Sequence, residues 1–258
     1  MVRKTMKLYW RNLKYFWWTT SAEKNALAVV IFVFALISTF NQWGTEEFSA
    51  VIGITNLLWT MLAIGLSFML VDAVRRLWVL SFGMQYELRV SWYYFGIGLL
   101  LTAISGGGLK VFIGPTFWLK AAPGQEHGRY WRRTAISDFA YVGLLGIIVH
   151  FLLADLAVIG YFSWLPQIAV DNMITFNLIY AILAILPIPP LDGSKIFYWF
   201  FGTAGGWFAM PGIIIGMLSG YGLGWVFGAS MLGRYALALL GAIAMLTYWE
   251  RMFPHPQK

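Results

Sequence analysis

One carboxylate in this chain stands where chemistry is expected. Asp192 follows a long apolar run and a proline cluster, Pro187, Pro189 and Pro190, and is itself followed by Gly193. Proline has no backbone N–H to donate and disfavours helix in the residue before it, so a helix is expected to break here and leave free carbonyls beside the carboxylate. Broken backbone at membrane depth survives only when buried in protein or lining a wet cavity, and an intramembrane carboxylate is a functional-site hypothesis by default. The bland alternative is a helix end with an interfacial turn. His150 lies in an apolar stretch that also carries Asp138 and Asp155. One histidine and two carboxylates can hold a divalent ion, so Asp192, His150 and either Asp138 or Asp72 form a candidate ligand set. Against that set, His150 reads as a hydrogen-bonded interhelical residue, and Asp72 and Asp138 read as interfacial partners of Arg75 and Arg132.

These residues need membrane helices to position them. The 258 residues are 60% hydrophobic, 18% aromatic and 11% charged, whereas a soluble domain carries about 25% charged residues. The expected class is an all-α polytopic membrane protein with about six to eight transmembrane or re-entrant segments of roughly 20 residues each. No composition break marks a second domain. The absence of cysteine excludes disulfides, thiolate metal sites and cysteine nucleophiles. The net charge of +7 is carried at span ends, which suits anionic lipid head groups and not nucleic acid.

In order, residues 1–25 interleave Arg3, Lys4, Lys7, Arg11 and Lys14 with Trp10, Tyr15, Phe16, Trp17 and Trp18. This is the pattern of an interfacial helix, and it lacks the apolar core of a cleavable signal peptide. A peripheral span and loop occupy 26–54, with the first span at about 26–43 and the second at about 51–71. Positive residues before the first and after the second place both ends on the cytoplasmic side. The stretch from Leu88 to Ala121 reads as a re-entrant segment broken by Gly106-Gly107-Gly108, then a small membrane-associated β-hairpin over Lys110 to Lys120 turning at Gly114-Pro115. Apolar stretches follow at about 136–165, 168–189, 196–210, 211–233 and 235–249, the last three glycine-rich as in closely packed membrane helices.

The segment AILAILPIPPLDGSKIF, Ala181 to Phe197, resembles the Asn-Leu-x-Pro-x-Pro-Pro-Leu-Asp-Gly signature of the site-2 protease family of intramembrane zinc metallopeptidases. Upstream, DAVRRLWVLSFGMQYELRV is similar to the Ala-Arg-Arg-x-Gly stretch after that family's zinc helix. KVFIGPTFWLKAAPGQEHGRYWRRTAISDFAYVGLLG is similar to its membrane hairpin, Ala-Pro-Gly turn and central helix. The resemblance implies a site-2-protease-like core over 55–200, with C-terminal transmembrane helices over 201–258. It implies Asp192 as the third zinc ligand. It also implies a hairpin whose edge, around Lys110, Gly114 and Pro115, meets an extended substrate strand near Pro187, Pro189, Pro190 and Gly193.

The departures from the family pattern decide the expected function. Aligning Arg75-Arg76 with the family's arginine pair puts Leu66 to Leu70 where His-Glu-x-x-His should stand, so both histidine ligands and the general-base glutamate are missing. Ser137 to Tyr141 replaces the family's Gly-Pro-x-x-Asn, and Ala184 replaces the asparagine before the prolines. The favoured expectation is a pseudoprotease without a cofactor, embedded in a prokaryotic cell membrane with a cytoplasmic N-terminus. It would bind membrane-protein segments or serve as a subunit of a membrane complex. The alternatives are an active metalloprotease with an unconventional zinc site, and a transporter or proton path through Asp138, Asp155, Asp171 and Asp192.

Overall fold

A computed structural model of the chain describes Trp10, Lys14 and residues 20–44, 47–81, 84–121, 136–186, 191–196, 209–226 and 231–252. The first helix, α1, runs Ser21–Ser38. It starts earlier than hydropathy suggests because Thr20 and Glu23 form a capping box: the Glu23 backbone N–H donates to Thr20 Oγ1, and the Thr20 N–H donates to the Glu23 carboxylate. Helix α2 runs Ala50–Ser81, 32 residues. The expected end near residue 71 is corrected by about three turns, since Asp72, Arg75 and Arg76 find charged partners inside the fold and need not mark a helix end.

Two strands follow, β1 at Met84–Val90 and β2 at Pro115–Ala121, paired antiparallel with Leu88 opposite Phe117. Between them lies α3, Trp92–Ile104. At about 1.5 Å per residue this helix is about 20 Å long, too short to cross a hydrocarbon core of about 30 Å, and the chain returns to pair with the strand it left. The sheet is therefore not a hairpin turning at Gly114-Pro115. Gly114, at φ +136°, instead ends the return, its carbonyl accepting from the Ser91 N–H at 2.8 Å. The glycine triplet closes α3: Gly106 N–H bonds to Ala103 O and Gly107 N–H to Thr102 O, with both glycines at positive φ.

Helix α4, Ile136–Val158, ends the same way at Gly160. Helix α5, Gln167–Ile185, returns beside it and stops before the prolines. A single helical turn covers 192–196, and the last two helices are α6, Ala209–Val226, and α7, Met231–Met252. Among the described residues four helices, α1, α2, α4 and α5, are long and apolar enough to cross a membrane, where six to eight segments were expected. The stretch 196–210 lies almost wholly outside the described residues. Phe34, Phe68, Phe95, Phe112, Phe176 and Tyr180 form an aromatic core between α1, α2, α3 and α5. Helices α6 and α7 pack backbone to backbone, since a Cβ on Gly216 or Gly241 would fall on the carbonyl of the other.

Candidate functional site

Asp192 is 3% exposed, and its partner is Arg75, 117 residues away and 5% exposed. The guanidinium donates to Asp192 Oδ2, while Lys195 Nζ stands 3.4 Å from Oδ1 and 3.3 Å from Thr116 Oγ1. Both cations also face the Phe117 ring, Lys195 Nζ at 3.5 Å and Arg75 Cζ at 5.2 Å from its centroid. The pair fits because α4 offers two glycines. A Cβ on Gly146 would fall within the Arg75 guanidinium, and one on Gly143 would come to 3.1 Å from Asp192 Cβ. Gly193 is equally constrained, because a side chain there would strike the carbonyls of Ile185 and Leu186.

The next residue on α2, Arg76, bonds Glu23 Oε1 and Asp72 Oδ2, both at 2.8 Å, and Glu23 Oε1 also accepts from the Leu88 N–H at 3.0 Å. Glu23 is 3% exposed. Three cations and three carboxylates thus form two adjoining groups, Arg75 and Lys195 on Asp192 and Arg76 on Glu23 and Asp72, whose formal charges of +1 and −1 make the network neutral as a whole. Between its halves lies a void of about 10 Å³, bordered by Asp72, Arg75, Tyr86, Thr116, Tyr180 and Asp192. That is close to the room one water needs. Asp72 Oδ1 and Arg75 Nε have no hydrogen-bond partner among the described residues. Burial, then the Asp72 carboxylate, push the Tyr86 phenol well above its ordinary range. Burial pushes Lys195 down to about 8, with the Asp192 carboxylate pulling the other way.

His150 is fully buried on α4 against Phe68, Phe176 and Tyr180. Its Nδ1 is 2.7 Å from Asn177 Oδ1, and Asn177 Nδ2 donates to Ser67 Oγ and the Met173 carbonyl. Those donations fix Oδ1 as the acceptor, so Nδ1 carries the proton and Nε2 keeps its lone pair. Further along the same α2–α5 contact, Asn172 and Gln42 exchange amide bonds, and Asn172 also donates to Thr60 Oγ1. Such side-chain bonds tie membrane helices together at about 1 kcal/mol each.

The other candidates are placed elsewhere. Asp138 stands in the first turn of α4, 12 residues or about 18 Å of helix from His150, and does not join it. Asp155 pairs with Arg234 and Tyr221 where α4 meets α6 and α7, and Asp171 accepts from Gln167 at the exposed start of α5. The Lys110 ammonium, lowered by burial, donates to the Ser38 carbonyl at 2.7 Å and caps α1. Pro115 opens β2, while Pro187, Pro189 and Pro190 lie outside the described residues.

The zinc that the resemblance implies does not fit these residues. No group of three His, Cys, Asp or Glu side chains able to hold a metal occurs among the described residues. Both Asp192 oxygens face cations, and Leu70, at a position aligned with a histidine ligand, is exposed on the outer surface. Sequence reasoning did not find Arg75 as the partner of Asp192, nor Glu23, Thr116 and Asn177. Its one available signal was the Gly143-Leu-Leu-Gly146 spacing, which clears one helix face. Family models, curated proteins and solved structures were compared with the chain, and none matches it.

Proposed function

We propose that this chain is an integral membrane protein of site-2-protease-like type that binds extended segments of other membrane proteins without hydrolysing them. The observation that carries this reading is the outer edge of β2. Leu88 sends its N–H away from β2, to Glu23, so Leu88 and Phe117 form a non-hydrogen-bonded pair. By alternation the Phe117 and Leu119 N–H groups, and the carbonyls of Pro115, Phe117 and Leu119, point away from β1. Among the described residues no backbone group pairs with them. Pro115 is tolerated here because the N–H it lacks belongs to that outer edge. An added strand would take up this row of donors and acceptors. Glu23 closes the opposite edge of the sheet, at Leu88, so among the described residues the β2 edge is the open one.

The neutral charge network supports the non-hydrolytic part of the reading, because Asp192 already neutralises a fixed guanidinium. The partner class is a membrane-embedded or juxtamembrane segment able to extend, and the location is a prokaryotic cell membrane with the N-terminus inside.

The test removes one outward donor and keeps every side chain. Replacing Leu119 by its α-hydroxy acid keeps the side chain and deletes the N–H, while a photo-crosslinker at the exposed Trp118 reports the neighbour. A discrete integral-membrane partner is expected, its yield falling about three- to tenfold on deletion, as loss of one hydrogen bond implies. An unchanged yield, or none in either form, refutes strand addition at this edge.

A further inference from the structure

We propose that Asp192 belongs to a cation-binding site whose built-in occupant is the Arg75 guanidinium, and that this site takes a free guanidinium-type cation when the Arg75 side chain is removed. The inference does not rest on strand addition at β2. Four observations support it. The anionic ligand is a buried carboxylate whose Oδ2 is given over to Arg75. The space is shaped for a flat group, since Gly146 lies against the guanidinium where any Cβ would intrude, and the Phe117 ring also faces that group. A residual void of about one water borders Arg75, and its Nε, in a side chain 6% exposed, has no hydrogen-bond partner among the described residues.

The fourth observation is charge. Three cations balance three carboxylates in this network, so a divalent ion added to it would leave two uncompensated buried positive charges. Deleting the Arg75 side chain leaves Asp192 Oδ2 without its donor, since Lys195 faces Oδ1, in a buried hole with the outline of a planar, delocalised cation. A buried carboxylate oxygen left without a donor is costly, which is the driving force for recruiting a replacement. A guanidinium fits that hole because its flat fork matches carboxylate geometry and it is more weakly hydrated than an ammonium.

The experiment uses the full chain in detergent, comparing Arg75→Ala with the unaltered protein by thermal unfolding. Methylguanidinium is titrated to about 20 mM, with urea, magnesium and zinc as separate arms. A saturable rise in Tm of several degrees is expected for Arg75→Ala with methylguanidinium alone, and none for the unaltered chain. Equal responses of the two proteins overturn the proposal, as does no response to any cation or a response to zinc or magnesium alone. Should Arg75→Ala not accumulate, Gly146→Ala supplies the second arm. Its Cβ is expected to lower Tm in the native chain and to be close to neutral beside Arg75→Lys, whose ammonium lacks the flat head. Equal harm in both backgrounds overturns the proposal.

Discussion

Asp192→Asn keeps the size of the side chain and removes its charge, and the structure says which groups then suffer. Arg75 and Lys195 both lose their carboxylate; Arg75 is buried and Lys195 partly so, with side chains 6% and 16% exposed. Removing one partner of a buried pair costs about 3–5 kcal/mol, far more than the pair adds over an apolar substitute, because the remaining charge stays desolvated. The upper part of that range applies here, since one substitution strands two cations. Arg75→Met is milder, about 2–3 kcal/mol, because Lys195 remains at 3.4 Å from Asp192 to pair with it. Once Arg75 is gone, Asp192→Asn strands only Lys195. The double variant should therefore cost about 1–3 kcal/mol less than the sum of the singles. The assay is reversible unfolding in mixed micelles followed by the fluorescence of the 14 tryptophans. Additivity within about 0.5 kcal/mol, or a neutral Asp192→Asn, would refute the buried pair.

Two further outcomes follow from the geometry. Lys195 holds its proton less tightly folded than unfolded, so between pH about 8 and 10.5 the unfolded chain binds the extra proton and stability rises with pH, by up to about 1.4 kcal/mol per pH unit. Unfolding midpoints at pH 7 and pH 9 for the native chain and Lys195→Met should show that gain only in the native chain; an identical gain in both would assign it elsewhere. At the α6–α7 crossing, Gly241→Val places a branched side chain on the Gly216 carbonyl. It should cost at least about 1–3 kcal/mol by overpacking, measured by the same micellar unfolding, and a neutral result would mean the helices are not in backbone contact.

What could be read without coordinates was local. Helix identity followed from apolar length, and the Thr20-x-x-Glu23 capping box was present in the sequence but hidden by the hydropathy window, which starts where the apolar residues start. The MQYELRV stretch of β1 alternates in the period of a strand, yet its partner lies beyond a 13-residue helix, so Gly114-Pro115 offered a nearer and wrong turn. At the site, the proline–aspartate turn singled out Asp192 directly. Nothing local tied it to Arg75, because their contact depends on how α2 and the turn at 192–196 pack across α4, and Arg75 reads equally well as a membrane-edge charge. His150 was legible as a buried, hydrogen-bonded residue, whereas its bond to Asn177 depends on the rotation of two helices about their axes. Charges near a span end were read as its boundary; in the fold Glu23 and Asp72 extend α2 by answering Arg76.

The neutrality of the charge network bears on voltage. Moving a charge through a membrane potential is worth about 2.3 kcal/mol per elementary charge per 100 mV. Arg75, Arg76 and Lys195 together with Glu23, Asp72 and Asp192 sum to zero, so a field across the bilayer exerts no net pull on the network as a unit. Its six side chains can respond only by turning their dipoles. This network is thereby electrically quiet as a unit, and a change in membrane potential would leave it in place while acting on any single unpaired charge elsewhere.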